Sequence, residues 1–271
     1  MREDLTIAAV SLNVRIFRTR DTLDQMARHI RDASGKGASL ICFPELSITG
    51  YALGETLREI AIPVNGDEVA FLQELASRHR MVILAGLAEK GADEALYASH
   101  LAIMPDGTRG VYRKLHVAPP EKDHIKPGDE IPVFYWEGFC FGIQLCYDAH
   151  FPELTTRMAL KGVHAVFMPH ASPRGSSQEK LRSWMRHLPA RAFDNGIFVI
   201  ACNQAGDNGK GLQFPGLSVV IAPSGELVSS VIGGSEDSMM IYTLSQEDMK
   251  AVRNHRMRYF LPNRRKDIFG G

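Results

Sequence analysis

Several absences narrow the reading of this chain before any motif does. No apolar run approaches the ~18 residues of a membrane-crossing helix. The opening "MREDLTIAAVSLNV" puts Glu3 and Asp4 directly ahead of an apolar strand pattern, unlike a secretory leader. Neither sign of charge is in excess: Lys plus Arg and Asp plus Glu number 31 each, for a formal net charge of zero. No global field therefore draws the chain to nucleic acid or to an anionic membrane. The late basic cluster, Arg253, Arg256, Arg258 and then Asn263-Arg264-Arg265-Lys266, reads as a solvated tail or a subunit contact. Cysteine is scarce, with only Cys42, Cys140, Cys146 and Cys202, and no CxxC pair. That usage predicts reduced thiols, no disulfide framework and a cytoplasmic protein. His116, His124, His150 and His170 show no HxxH or HExxH spacing, so neither a metal site nor a cofactor is expected. No linker or low-complexity stretch divides residues 1–271, which reads as one domain with a contact tail from about residue 250.

What is present is an alternation of short apolar runs with amphipathic patterns. Hydrophobic residues make up 45% of the chain, enough for one large core. Runs such as "LTIAAVSLN", "SLICFPE", "MVILAGLAE", "FCFGIQLC", "HAVFMPH" and "IFVIACNQ" predict strands. Helical spacing predicts helices over Thr22–Ser34, Asp67–His79, Pro152–Lys161, Gln178–Asn195 and Gln246–Arg256. The class is α/β, with turns such as Pro105-Asp106-Gly107 arguing for mixed sheets. "KGASLICFPELS" (36–47) echoes "KGVHAVFMPHAS" (161–172): each has Lys-Gly, an apolar run, and a Pro eight residues after the Lys. The echo predicts two related halves, with Glu45 and His170 at equivalent strand ends.

Three chemically apt residues stand where strand patterns give out: Glu45 after "SLICFP", Lys114 after "GVYR" and Cys146 after "FGIQL". Strand ends are where α/β proteins assemble sites from distant parts of the chain. A carboxylate can take the thiol proton and later activate water. An ammonium can stabilise a developing oxyanion, and a thiol can attack a carbonyl and carry the acyl group. Phe151-Pro152-Glu153 opens a helix just beyond Cys146, and a helix N-terminus favours a thiolate. The N–H of Tyr147 is a second candidate oxyanion donor. Taken singly, such residues are more often a cap, a surface lysine and a core cysteine.

Together, and in this order, "FPELSITGY", "YRKLHV" and "LCYDAHFPE" resemble the three signature blocks of the nitrilase superfamily of carbon–nitrogen hydrolases. The resemblance covers nearly the whole chain and implies an αββα sandwich that associates into dimers or larger homo-oligomers. It implies Glu45 as general base, Lys114 as oxyanion stabiliser and Cys146 as nucleophile. "PEKDHIKPGD" (120–129) is similar to the family segment that supplies a second active-site glutamate, here Glu121. Nitrile-hydrolysing members carry Cys-Trp-Glu at the nucleophile, whereas this chain has Cys-Tyr-Asp, as in the amidase and carbamoyl-amidase branches. The "EKxxxxPGD" spacing is similar to N-carbamoylputrescine amidases, although those have Trp after the cysteine. The implied activity is hydrolysis of a linear amide or carbamoyl C–N bond. Nitrile hydrolysis, a glutaminase-like or ω-amidase activity, acyl transfer and a silent scaffold are the alternatives. His170 is expected in the pocket wall, and Arg174 is a candidate partner for a substrate carboxylate.

Overall fold

A computed structural model describes Met1 and residues 3–269. The first half runs β1 (Leu5–Ser11), α1 (Thr19–Gly35), β2 (Leu40–Cys42), α2 (Glu55–Ile60), α3 (Asp67–His79), β3 (Val82–Lys90), β4 (Leu96–Ile103) and β5 (Arg109–Arg113). The second half opens with β6 (Phe134–Trp136), β7 (Phe139–Ile143), α4 (Pro152–Leu160), β8 (Ala165–His170), α5 (Ser177–Trp184), α6 (Leu188–Asn195) and β9 (Phe198–Asn203). It ends with the short pair β10 (Gly206–Asp207) and β11 (Gln213–Phe214), then β12 (Gly216–Ile221), β13 (Leu227–Gly234), β14 (Ser238–Leu244), α7 (Gln246–Arg253) and α8 (Lys266–Phe269).

Two six-stranded sheets form, in the orders β14-β1-β2-β3-β4-β5 and β13-β12-β9-β8-β7-β6. In the first, β1, β2 and β3 are parallel and the flanking pairs antiparallel. In the second, β7, β8 and β9 are parallel, again with antiparallel flanks. The two sheets therefore repeat one pattern, and the echoed segments fall on β2 and β8, the middle strand of each parallel trio. The predicted internal halves are present in the fold.

Strand pleating sorts the core into layers. Ile7, Ala9, Leu40 and Cys42 pack toward the second sheet, among Phe141, Phe167 and Val220. Their alternates, Ala8, Val10, Ile41 and Phe43, pack against Met26 and Ile30 of α1 and Val69 and Leu72 of α3. Helices α4 and α6 cover the second sheet's outer face with Leu154, Met158, Leu188 and Ala192. Both faces of both sheets are thus covered, which explains why the central strands read as continuous apolar runs. The order is helix, sheet, sheet, helix: the αββα sandwich. Among the described residues, no helix is long and apolar enough to cross a membrane.

Some predicted elements are corrected. The helix over 178–195 is two helices, α5 and α6, because Pro189 has no N–H to donate and its ring crowds a preceding turn. β13, absent from the predicted strands, is a "LVSSVIGG" edge strand whose alternate residues face solvent, so it shows no apolar run. Part of the basic tail is not solvated: Arg253 turns inward and donates from Nε to Gly196 O at 3.1 Å and from NH2 to Val163 O at 2.8 Å. Of the tail proposed as a contact, Gly270, Gly271 and the Lys266 side chain lie outside the described residues.

Candidate active site

The C-terminal ends of the parallel strands β7, β8 and β9 lie side by side. Cys146 follows the first, Ala171 the second and Gln204 the third. They face the turn after β2, which carries Glu45. That turn sits on β3 at Gly86, where a Cβ would come within 2.4 Å of Leu46 N. Only glycine admits the approach. Ile48 N donates to Gly86 O at 2.8 Å, and Gly86 N donates to Ser47 Oγ at 3.1 Å, which locks the turn. The second sheet clasps it from the other side, with Gln204 Nε2 donating to Glu45 O at 2.8 Å.

The Glu45 carboxylate is held at both oxygens. Oε1 accepts from Lys114 Nζ at 2.9 Å and Oε2 from Ala171 N at 2.9 Å. Lys114 follows β5, and its backbone prolongs the ladder through Lys114 N to Ala98 O at 2.9 Å. The ammonium also donates to Glu121 Oε2 at 2.8 Å. Glu121 ends a tight turn, Pro119–Glu121, and its Oε2 accepts from Ala118 N at 3.2 Å. The Tyr51 phenol lies close enough to the cluster that burial and the Glu121 charge both raise its pKa. Glu45 and Lys114 are each 1% exposed and Glu121 4%. A buried lysine thus bridges two buried carboxylates. Such groups are costly to desolvate, and each needs the others.

Cys146 opens a 3₁₀ turn, Cys146–His150, in the left-handed region with φ of +45°. That conformation is strained for a residue with a Cβ and is typical of functional turns. Asp148, fully buried, pins it. One oxygen accepts from Tyr112 OH at 2.7 Å and Leu145 N at 3.0 Å. The other pairs with His116 N and Nδ1, both at 2.8 Å. Tyr112 and His116 flank Lys114, so one carboxylate ties the lysine's strand end to the cysteine's turn. The His116 ring stacks on Phe151 at 3.7 Å between centroids.

The electrostatics follow from this burial. Desolvation pushes the Glu45 carboxyl up, Lys114 pulls it back, and Glu121 adds to the rise. Burial opposes the charge on Lys114, but Glu45, Cys146 and Glu121 outweigh it and hold the ammonium above the usual lysine range. Burial and the Glu45 charge push the Cys146 thiol far above its ordinary value, with Lys114 offsetting only part. The resting group is therefore the neutral thiol. The expected helix-stabilised thiolate is corrected: α4 begins at Pro152, beyond the separate 3₁₀ turn.

A cavity of about 430 Å³ opens over Cys146 and Glu121. Tyr147, His170 and Arg174 all line it, with Arg174 exposed at the mouth and in the left-handed region at φ of +70°. His170 is held by Met168 O, 2.7 Å from Nδ1, and its ring lies 4.5 Å from that of Trp184. Burial lowers its pKa to about 3. Tyr51, Lys180, Trp184 and His187 share the cavity but carried no signal in the sequence. Asp148 carried a faint one, as the acidic residue two after the cysteine. Among the described residues, no three His, Cys, Asp or Glu side chains converge to hold a metal ion.

A carbon-nitrogen hydrolase family profile matches residues 6–254. The chain belongs to the carbon-nitrogen hydrolase family. It is 31% identical to a nitrilase from Pyrococcus abyssi over 97% of this chain and 95% of that one. It is 30% identical to an N-carbamoylputrescine amidase from Arabidopsis thaliana, over 89% of this chain and 86% of that one. Among solved structures it is similar to an amidase from Nesterenkonia sp. AN1, with a TM-score of 0.83 and 25% identity over 98% of this chain and 96% of that one. In that structure, of a variant, the acetamide moiety of fluoroacetamide is covalently added at the active-site cysteine. This carbon-nitrogen hydrolase is thus an enzyme of the nitrilase superfamily with amidase homologues, on the fold those homologues share.

Proposed function

We propose that this carbon-nitrogen hydrolase is a cysteine-dependent amidase. It hydrolyses a linear amide or carbamoyl C–N bond through a thioester on Cys146. The observation that carries the reading is the Glu45–Lys114–Glu121 cluster, buried beside a thiol at the floor of one cavity. The adduct at the cysteine of the Nesterenkonia amidase supports the nucleophile's role.

The chemistry follows from the geometry. Burial makes Glu45 a stronger base than a solvated carboxylate. It takes the thiol proton as sulfur attacks the carbonyl carbon, so no free thiolate forms in the resting site. The C=O pair moves to oxygen, and Lys114 and the Tyr147 N–H stabilise that oxyanion. Glu121 holds the amide N–H groups and so orients the carbonyl. The proton on Glu45 passes to nitrogen as the C–N bond breaks, releasing ammonia or an amine. Water then gives its proton to Glu45 and attacks the thioester. Collapse releases the acid, and the proton returns to sulfur.

The Pyrococcus relative keeps nitrile hydrolysis as a second reading. A nitrile has no N–H to offer Glu121, so matched amide and nitrile substrates discriminate. Rapid amide turnover with formation of a mass-detectable acyl adduct is expected; preference for the nitrile overturns the amidase assignment. The same reading takes the whole chain as one cytoplasmic domain in a homodimer or larger homo-oligomer. The tail from about residue 250 serves as a contact, a role that exposed Met257 and Phe260 support. Light scattering checks it: a stable 30.0 kDa monomer counts against it.

A further inference from the structure

The charges around the catalytic cavity are lopsided. Among the described residues its one lining carboxylate is Glu121, whose charge is matched by Lys114 and whose Oε2 also accepts from Ala118 N. Facing it, Lys180 of α5 and Arg174 of the preceding loop bring two cations to the wall and mouth. Neither makes an ion pair with a carboxylate among the described residues. The Lys180 ammonium has Ser172 Oγ at 2.7 Å as its hydrogen-bond partner. Glu179, the nearest acid in sequence, is turned away, with its carboxylate capping α5 at Ser176 N and Oγ. The remaining polar wall combines the hydroxyls of Tyr51, Tyr147, Ser172 and Ser183 with three imidazoles, His150, His170 and His187, all neutral near pH 7 because burial lowers each. His187 Nε2 is buried with no hydrogen-bond partner among the described residues.

A half-buried ammonium with one neutral hydroxyl for company is poorly compensated. Burial lowers its pKa, and the reacting sulfur of Cys146 lies close enough to be felt. A group of that kind gains most from a ligand that brings a negative charge. A cationic ligand would meet Lys180 and Arg174 with only Glu121, already paired with Lys114, to offset them.

We propose that Lys180, with Arg174 at the mouth, selects substrates that carry a carboxylate apart from the scissile bond, and that cationic amides and carbamoyl amines are excluded. The substrate class is an ω-carboxylate primary amide or an N-carbamoyl amino acid. The carboxylate displaces Ser172 Oγ as the partner of Lys180, and the scissile carbonyl lies over Cys146. Lys180 is a binding and specificity residue and takes no proton in the reaction. This rests on the amidase reading, so binding and turnover are measured separately.

The binding arm uses Cys146→Ala protein, in which no turnover occurs, and calorimetry with two sets of compounds. One set is primary amides of matched length ending in carboxylate, methyl or ammonium. The other is N-carbamoyl derivatives of an amino acid, of its decarboxylated alkylamine and of a diamine. In one set or both, the carboxylate member should bind roughly tenfold or more tightly than the neutral one, the scale of a lost charge-assisted hydrogen bond. The ammonium member should be weakest. Lys180→Met should bring the carboxylate-to-neutral ratio close to one, Lys180→Glu should reverse the order toward the ammonium member, and Lys180→Arg should retain the ratio. Equal binding of all members, or a ratio unmoved in Lys180→Met, overturns the proposal. The turnover arm repeats the sets with Cys146 intact. Charge-selective binding without turnover leaves this proposal standing and sinks the amidase reading; turnover without charge selection does the reverse.

Discussion

Arg113 and Lys114 are neighbours in sequence and opposites in the fold. Pleating sends them to different faces. Arg113 leans over the Tyr97 ring at 4.2 Å and grips Glu89, which also accepts from Ser99 Oγ at 2.5 Å. Its side chain is 39% exposed, so solvent shares its charge. Lys114 is 1% exposed and shares one ammonium between two carboxylates at 2.9 and 2.8 Å. The first pair has one cation for one acid, and the cavity beside it, lined by Arg113, Asp129 and Glu130, holds no thiol among the described residues. The second has a surplus acid, a neutral thiol and a cavity. Ion pairing alone is therefore common to both sites, and what sets the proposed catalytic cluster apart is a second carboxylate and a thiol beside the cation.

The largest contrast comes from removing the nucleophile. Cys146→Ala should abolish turnover while the apparent melting temperature stays within a few degrees, since losing one sulfur costs about 1 kcal/mol. Activity within tenfold of the parent enzyme would remove Cys146 from its role. Next is Glu45→Gln, which keeps the shape and loses the base. A fall of about 10³-fold in kcat is expected, in the general acid–base range, with an acyl adduct accumulating in intact-mass spectra. Normal turnover without adduct would place the base elsewhere.

Glu121→Gln tests the surplus acid. Its kcat/KM for an amide should fall by about 10²-fold, and a variant with full activity would reduce the cluster to an ordinary ion pair. Glu89→Gln probes the other pair. Arg113 can turn to water when its partner is lost, so about 1–2 kcal/mol of stability should go, read as a few degrees of melting temperature, with kcat/KM unchanged. A large loss of activity there would show that the two pairs are coupled.

The smallest effect is in pH. His170 falls to about 3 and His187 to about 4 in the folded protein, from an ordinary 6.5, through burial. A group that folds neutral takes up a proton on unfolding, so its stabilisation is complete above about 6.5 and drains as pH drops toward 4. Melting temperature should decline across that window, and His170→Asn should flatten the slope. An unchanged slope would mean that His170 does not titrate on unfolding.

Of the proposed catalytic residues, Glu45, Lys114 and Cys146 were readable because each stands where a strand pattern gives out, whereas Glu121 came only from the resemblance of "PEKDHIKPGD" to a family segment. Glu45, Lys114, Glu121 and Cys146 meet as expected. The echo between 36–47 and 161–172 correctly marked two related halves, its copies falling on β2 and β8. Asp148 was visible only as part of a motif, because its work is to join Tyr112, His116 and Leu145, which are close only after the chain folds. Lys180 and His187 looked like ordinary helix residues, since a period of 3.6 says which side a residue faces but not what lies opposite.

By itself the sequence determined the alternation of elements, the order of the catalytic blocks and the absence of a membrane-length apolar run, because these depend on local spacing and on the chain's composition. Only the tertiary structure decided that Lys114 is buried between two carboxylates while Arg113 is part-exposed, that the resting thiol is neutral, and that the cavity wall is left cationic. Those properties depend on burial and on distances between residues remote in sequence. Burial strengthens or removes a charge's influence in a way no local pattern records.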